Sequence, residues 1–206
     1  MPRSDRTHTP PRLQTEGIVF HPVIHLPASY EVYDFSQGYD PNRALTHTYG
    51  VGKYDELRPG MYKGEQFEGV RNIHVGIDIG TPAGEPVLAF FEGSIFKLGN
   101  NALPYDYGPT IITKHHWLDQ TVFALHGHLS TTSLDKWKEG DRFKKGEVLA
   151  HVGEKHENGG WNPHLHFQLS LIEPDTHDLP GAVSAADRAW AQRAFPDPQL
   201  VLGTLY

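Results

Sequence analysis

Residues 163–172 read PHLHFQLSLI and alternate strictly between polar and apolar side chains from His164 to Leu171. Successive side chains of a strand point to opposite faces, so one face of this segment is apolar throughout. Such alternation predicts an amphipathic strand whose apolar face packs on a core. The other face places His164 and His166 next to each other, with Gln168 beyond them.

Two further stretches have the same arrangement. Residues 73–80, IHVGIDIG, place His74 and Asp78 on one strand face with glycines beside them, and residues 121–129, TVFALHGHL, place His126 and His128 together. The flanking glycines and β-branched residues favour a strand over a helix for the first stretch. A single histidine on a polar strand face is usually only solvated. Because all three pairs lie on the polar faces of amphipathic strands, we instead predict a groove lined by imidazole and carboxylate groups.

The composition of the whole chain restricts its partners and ligands. The chain has 206 residues, a formal charge of −7 and no clustered Lys and Arg, which disfavours nucleic acid and anionic membranes as partners. It carries no apolar run that resembles a signal peptide or a membrane span, so we expect a cytoplasmic protein. The absence of cysteine excludes disulfides and thiolate ligands. Any metal is therefore held by histidines and carboxylates.

The chain divides into three parts by pattern. Residues 1–16 are polar and Pro-rich and are predicted to form a disordered tail. Residues 17–69 contain short apolar pieces broken by Pro, Gly and Asn, which indicates an extension that packs on the core. Residues 70–206 consist mainly of short β-rich runs, followed by one short helix that begins near Ser184. We therefore predict a mainly β fold with an antiparallel sheet core, a groove, long loops and one C-terminal helix.

Two histidines and a carboxylate without cysteine suit zinc, and three protein ligands with an open position are typical of a catalytic site. This donor set predicts hydrolysis. The same set also forms the facial triad of non-haem iron enzymes, so a hydrolase or oxygenase for a small molecule is an alternative. A second alternative is a module that grips a peptide in the groove without cleaving it.

The motifs HVGID at 74–78, HLS at 128–130 and HLHF at 164–167 occur in an order that resembles the lysostaphin-type (LytM-like) zinc endopeptidases. Together with GEPVLA at 84–89 and KGEVL at 145–149, they extend the resemblance over residues 71–171. The resemblance implies a LytM-like β-sheet domain and a peptide substrate, of peptidoglycan type or other. It also implies one zinc ion per chain held by His74, Asp78 and His166.

The same resemblance implies that His128 and His164 act on the substrate and on water. Three other residues have open roles. His126 stands where the family commonly has an aromatic residue and adds a titratable group to the groove. His115 either lines the groove or caps a turn, and Gln168 either orients a metal ligand or is simply solvated.

Overall fold

A computed structural model describes residues 10–40, 46–63, 67 and 69–206 of the chain. Its strands are β1 (Glu31–Val32), β2 (Gly50–Gly52), β3 (Ile73–His74), β4 (Ile77–Gly80), β5 (Pro86–Leu88), β6 (Gly93–Asn101), β7 (Gly108–Trp117), β8 (Gln120–Gly127), β9 (Arg142–Phe143), β10 (Val148–His151), β11 (His164–Ser170) and β12 (Ala182–Val183). A 3-10 helix (Thr131–Lys136) precedes β9, and the helices α1 (Arg188–Ala194) and α2 (Gln199–Leu202) lie near the C-terminus.

Eight strands form the main sheet in the order β1-β2-β4-β11-β8-β7-β6-β9. All neighbouring strands in it pair antiparallel except β1 and β2, which are parallel. The predicted mainly β fold with an antiparallel sheet and a short C-terminal helix is therefore confirmed. Helix α1 begins at Arg188 rather than beside Ser184, because the Ser184 hydroxyl donates to Asp187 in a turn that precedes the helix.

Apolar side chains pack on both faces of this sheet. Leu165, Phe167 and Leu169 of β11 lie in the larger core as their alternation predicts. Phe123 and Leu125 of β8 lie in a second cluster, which also contains residues of α1. Strand β8 is thus covered on both of its faces, which the sequence analysis did not anticipate.

The stretch 73–80 is two strands rather than one, which corrects the single apolar face expected there. Strand β3 pairs with β12, whereas β4 pairs with β2 and β11 in the main sheet. Between them Gly76 adopts a φ of 146°, a backbone conformation that residues with a Cβ rarely reach. As a result Ile73 joins the second cluster while Ile77 joins the larger core.

The N-terminal part of the chain contributes to the main sheet. Strands β1 and β2 belong to the predicted extension 17–69, and β2 pairs with β4. The first nine residues of the expected tail lie outside the described residues. Farther along, Arg12 and Gln14 contact the β7–β8 turn: the Gln120 amide donates to the Arg12 carbonyl at 3.1 Å and the Trp117 indole donates to the Gln14 carbonyl at 2.8 Å. Among the described residues, no helix has the length and apolar character needed to cross a membrane.

Candidate metal centre

His74, Asp78 and His166 converge at the junction of β3, β4 and β11. The antiparallel register places His166 directly opposite Asp78. His166 Nδ1 lies 2.9 Å from Asp78 Oδ1, and His74 Nε2 lies 3.3 Å from the same oxygen and 3.2 Å from His166 Nδ1. All three residues are buried, and in the described part of the chain they form the only cluster of three His, Cys, Asp or Glu side chains able to hold a metal ion.

Gly76 makes room for this cluster. A Cβ at this position would lie 2.6 Å from Cε1 of His166, which is closer than such atoms approach in proteins. The glycine therefore serves two purposes: it allows the chain to turn from β3 into β4, and it leaves space for the imidazole of His166.

Hydrogen bonds fix the orientation of both imidazoles. His74 Nδ1 lies 2.9 Å from the Lys53 carbonyl, so it carries the proton and Nε2 keeps its lone pair towards the cluster. His166 Nε2 lies 3.1 Å from Oε1 of Gln168, which leaves Nδ1 for the cluster. Gln168 is buried and donates in turn to the Pro180 carbonyl at 3.4 Å. It is not solvated, and it stands where a residue that orients a metal ligand would stand.

The protonation states suit metal binding. Burial, together with the positive charge of Arg58, lowers the pKa of His74 to about 4, so its imidazole is neutral at pH 7. Burial by itself would raise the pKa of Asp78, but His74 and Arg58 hold it well below its usual value. Two nitrogen donors and one carboxylate within reach of one point fit a zinc ion.

Arg58 is a buried neighbour of the centre that the sequence analysis missed. One of its guanidinium nitrogens donates to Asp78 Oδ2 at 2.6 Å, Nε donates to Glu56 at 3.0 Å, and the guanidinium lies 4.9 Å from the centre of the Phe35 ring. Arginine has no lone pair to offer a metal. It therefore occupies one carboxylate oxygen of Asp78 and leaves Oδ1 facing the two histidines. No local sequence pattern marks Arg58, which lies in a loop.

His128 and His164 lie together beside the cluster. Their ring centroids are 4.1 Å apart, and His164 Nε2 is 3.9 Å from Asp78 Oδ1. Each Nδ1 contacts a backbone carbonyl, that of Asn158 at 2.9 Å for His128 and that of Asn162 at 2.7 Å for His164. Burial lowers the pKa of both rings, so both are neutral at pH 7 with Nε2 available as an acceptor.

His126 lies away from this site, contrary to the expectation that it adds a titratable group to the groove, and His115, for which lining the groove was one of two alternatives, lies away from it as well. His126 is fully buried with its ring 5.3 Å from Phe167 on the core side of the sheet, and its Nε2 has no hydrogen-bond partner among the described residues. His115 packs 4.3 Å from Phe90 and contacts the Thr113 hydroxyl at 2.7 Å. Strand β8 ends at Gly127 and His128 has a φ of +61°, so His126 and His128 do not share a strand face.

The two core histidines predict an acid-sensitive fold. Burial lowers the pKa of His126 to about 4 and that of His115 to about 3, below the roughly 6.5 of an unfolded chain. Between these pKa values the unfolded state binds more protons than the folded state. The contribution of the two histidines to the free energy of unfolding is therefore fully present above pH 6.5 and is lost as the pH falls. Each residue contributes a slope of about 1.4 kcal/mol per pH unit.

We therefore expect His126→Leu to flatten the dependence of the unfolding free energy on pH between 6.5 and 4.5. Denaturant titrations of the metal-free protein at several pH values measure this slope. An exposed histidine gives the matched control, because His116→Ala should leave the slope unchanged. Equal slopes for His126→Leu and the unmodified chain would contradict the assignment of His126 as a neutral core residue.

Comparison with known proteins identifies a family that this chain resembles in sequence. The sequence model of peptidase family M23 matches residues 72–177, just over half of the chain. The chain is 33% identical over 131 residues to the cell division protein DipM of Caulobacter vibrioides, covering 63% of this chain and 20% of that protein. It is 32% identical over 120 residues to an uncharacterised metalloprotease of Haemophilus influenzae, covering 56% of this chain and 23% of that protein. The chain thus spans about a fifth of the length of these curated relatives.

A solved structure with a similar fold is the catalytic domain of lysostaphin from Staphylococcus simulans, with 22% identity and a TM-score of 0.46 over 70% of this chain and 92% of that domain. The matched segment 72–177 contains the three residues of the cluster and also His128 and His164. The match extends over half of the sequence and includes every donor of the candidate centre, and on that basis the chain belongs to peptidase family M23, a family of metallopeptidases.

Proposed function

We propose that this chain is a zinc-dependent peptidase that hydrolyses a peptide bond. The observation that carries the proposal is the convergence of two imidazole nitrogens and one carboxylate oxygen within hydrogen-bonding distance of one another. His74, Asp78 and His166 would hold the ion. When bound, zinc polarises a carbonyl group and makes water more acidic.

The two neighbouring histidines provide the proton transfers. The Nδ1 proton of His128 is directed at the Asn158 carbonyl, which leaves Nε2 to accept a proton from water or to donate one after protonation. His164 has the same arrangement through Asn162. The paired rings can therefore accept a proton from water, stabilise the developing oxyanion and deliver a proton to the leaving amine.

The family supports a proposal for the substrate class. Family M23 peptidases act on peptides of the peptidoglycan type, and we propose a peptide of that type or of another as the substrate of this chain. The formal charge of −7 agrees with a partner other than nucleic acid.

A metal-exchange assay tests this function. The purified chain is stripped with a chelator and incubated with a panel of quenched fluorescent peptides, including glycine-rich and D-Ala-containing sequences. We expect no cleavage by the stripped protein and full cleavage after one equivalent of zinc is added. Cleavage that survives chelation, or activity restored by iron but not by zinc, would contradict the proposal. Binding of the peptides without cleavage by the zinc form would identify a binding module instead.

A further inference from the structure

A second cavity adjoins the metal centre and is lined mainly by aromatic side chains. We call it the aromatic cleft; its volume is about 340 Å³. Its apolar walls are Tyr33, Phe35, Tyr39, Met61 and Trp161. Four of these residues are aromatic, and all but Trp161 come from the N-terminal part of the chain, outside the segment that matches the family.

The aromatic rings of the cleft are held in place by their neighbours. The Tyr33 ring lies on two glycines, since a Cβ at Gly50 would be 2.2 Å from Cζ of Tyr33 and one at Gly80 would be 2.8 Å from its hydroxyl. The rings then follow in sequence: Tyr33 to Phe35 at 5.5 Å, Phe35 to Tyr39 at 6.0 Å and Tyr39 to Trp161 at 6.1 Å between centroids. The cleft is therefore a preformed site rather than a gap between mobile side chains.

The aromatic cleft is continuous with the metal centre. Asp78, His164, Met61 and Trp161 line both cavities. The cavity at the metal centre has a volume of about 100 Å³ and is smaller than the cleft. A peptide with its scissile bond at the metal centre would therefore have the larger cleft beside it for an adjacent side chain, since the two cavities share these four residues.

The chemistry of the cleft selects the kind of side chain. Its volume lies within the range of roughly 300 to 1,000 Å³ that is typical of ligand pockets. No Lys or Arg is among the described residues that line the cleft, so the cleft offers no such cation to pair with an acidic side chain. A glycine would leave the aromatic walls uncovered.

We propose that the aromatic cleft binds an aromatic or bulky apolar side chain of the substrate residue next to the scissile bond. The specificity of this chain then differs from a preference for glycine at that position. The part of the proposal that concerns cleavage rests on the proposed function, whereas binding of an apolar side chain in the cleft does not. The two parts are tested separately.

Binding is measured first, on the zinc-loaded full chain and without any need for turnover. N-acetyl-L-phenylalaninamide and N-acetylglycinamide are titrated while the NMR signal of the Trp161 indole is followed. We expect the aromatic probe to bind about 10- to 100-fold more tightly, because only its ring is removed from water in the cleft. Equal affinity for the two probes would overturn the proposal, whatever the peptidase activity.

Two variants at the edge of the cleft locate the bound probe. Tyr39→Ala removes one wall, and Thr48→Trp places a large side chain at an exposed residue that lines the cleft. Each should weaken binding of the aromatic probe about tenfold. Val19→Trp is the matched control, because Val19 is 74% exposed and does not line the cleft. An effect of the control as large as that of Thr48→Trp would place the probe elsewhere.

Cleavage is measured second, with peptides that differ only in the residue on one side or the other of the scissile bond. We expect kcat/KM to be at least about tenfold higher with phenylalanine than with glycine on one of the two sides. Thr48→Trp should abolish that preference, whereas the control Val19→Trp should retain both the preference and the cleavage of the glycine peptide. Cleavage without any such preference would overturn the proposed specificity and would leave the proposed peptidase function intact. Binding of the aromatic probe without cleavage of any peptide would contradict the peptidase function and would leave binding in the cleft intact.

Discussion

Asp78→Ala is expected to purify without stoichiometric zinc and to lose all detectable peptide cleavage. Asp78 supplies the only carboxylate of the cluster, and its Oδ1 lies 2.9 Å from His166 and 3.3 Å from His74. Without it, two imidazoles remain next to the buried cation of Arg58, which repels a divalent ion. Elemental analysis of the purified variant measures the bound metal directly.

The same substitution removes a partner of Arg58, so a loss of structure must be distinguished from a loss of a ligand. Breaking a buried ion pair by deleting one partner costs about 3–5 kcal/mol, and this cost could unfold the chain. Asp78→Asn retains the shape and one oxygen for Arg58 but carries no charge, so we expect a folded protein with strongly weakened zinc binding. Asp135→Ala, at an exposed carboxylate in the 3-10 helix, is the control. Full zinc in a folded Asp78→Ala would refute the ligand assignment.

The parts of the site that sequence reasoning predicted depend on local periodicity. Residues 164–170 alternate because one face of β11 packs on the larger core, so the pattern itself indicates that His164, His166 and Gln168 share a face. The same argument holds for Asp78, whose strand pairs with β11 in register. Alternation of polar and apolar residues correctly predicts which side chains share a strand face wherever one face of the strand is buried and the other is polar.

The prediction that His126 and His128 lie together on one face of a strand was wrong because both faces of β8 are buried. Val122 and Ala124 pack in the larger core while Phe123 and Leu125 pack in the second cluster, so both faces of this strand are buried. A strand covered on both faces is mostly apolar, so the positions of its few polar residues do not indicate which of its faces points to the core. His126 therefore lies in the core, and the left-handed backbone of His128 brings that side chain to the metal centre instead.

Arg58 and the aromatic cleft could not be predicted from the sequence. The guanidinium reaches Asp78 across 20 residues of chain, through a loop that has no periodicity of its own. The cleft requires Tyr33 and Trp161, which are far apart in the chain, to lie on either side of the same groove. Both features depend on how the N-terminal part packs against the sheet, and that packing is a tertiary property.

His128→Ala is expected to retain one equivalent of zinc and to lower kcat/KM by about 10²- to 10⁴-fold, the usual contribution of a positioned general acid or base. Its side chain is not part of the cluster, and its ring centroid lies 6.4 Å from that of His166, so the donors His74, Asp78 and His166 stay in place. What the variant loses is the Nε2 atom, which the hydrogen bond from Nδ1 to the Asn158 carbonyl keeps available for proton transfer. Metal analysis and steady-state kinetics on the same preparation separate the two effects.

His128→Ala is informative because its effects should differ from those of substitutions at the metal ligands. Loss of zinc and loss of rate are inseparable in Asp78→Ala, but His128→Ala should dissociate them, because His128 acts on the reacting groups and not on the ion. An exposed histidine on the neighbouring strand β7 is the matched control, so His116→Ala should leave both zinc content and rate unchanged. Should His128→Ala lose its zinc, the ring would have to be counted among the ligands; should it keep its full rate, proton transfer would have to be assigned to His164 alone, whose Nε2 is 3.9 Å from Asp78 Oδ1.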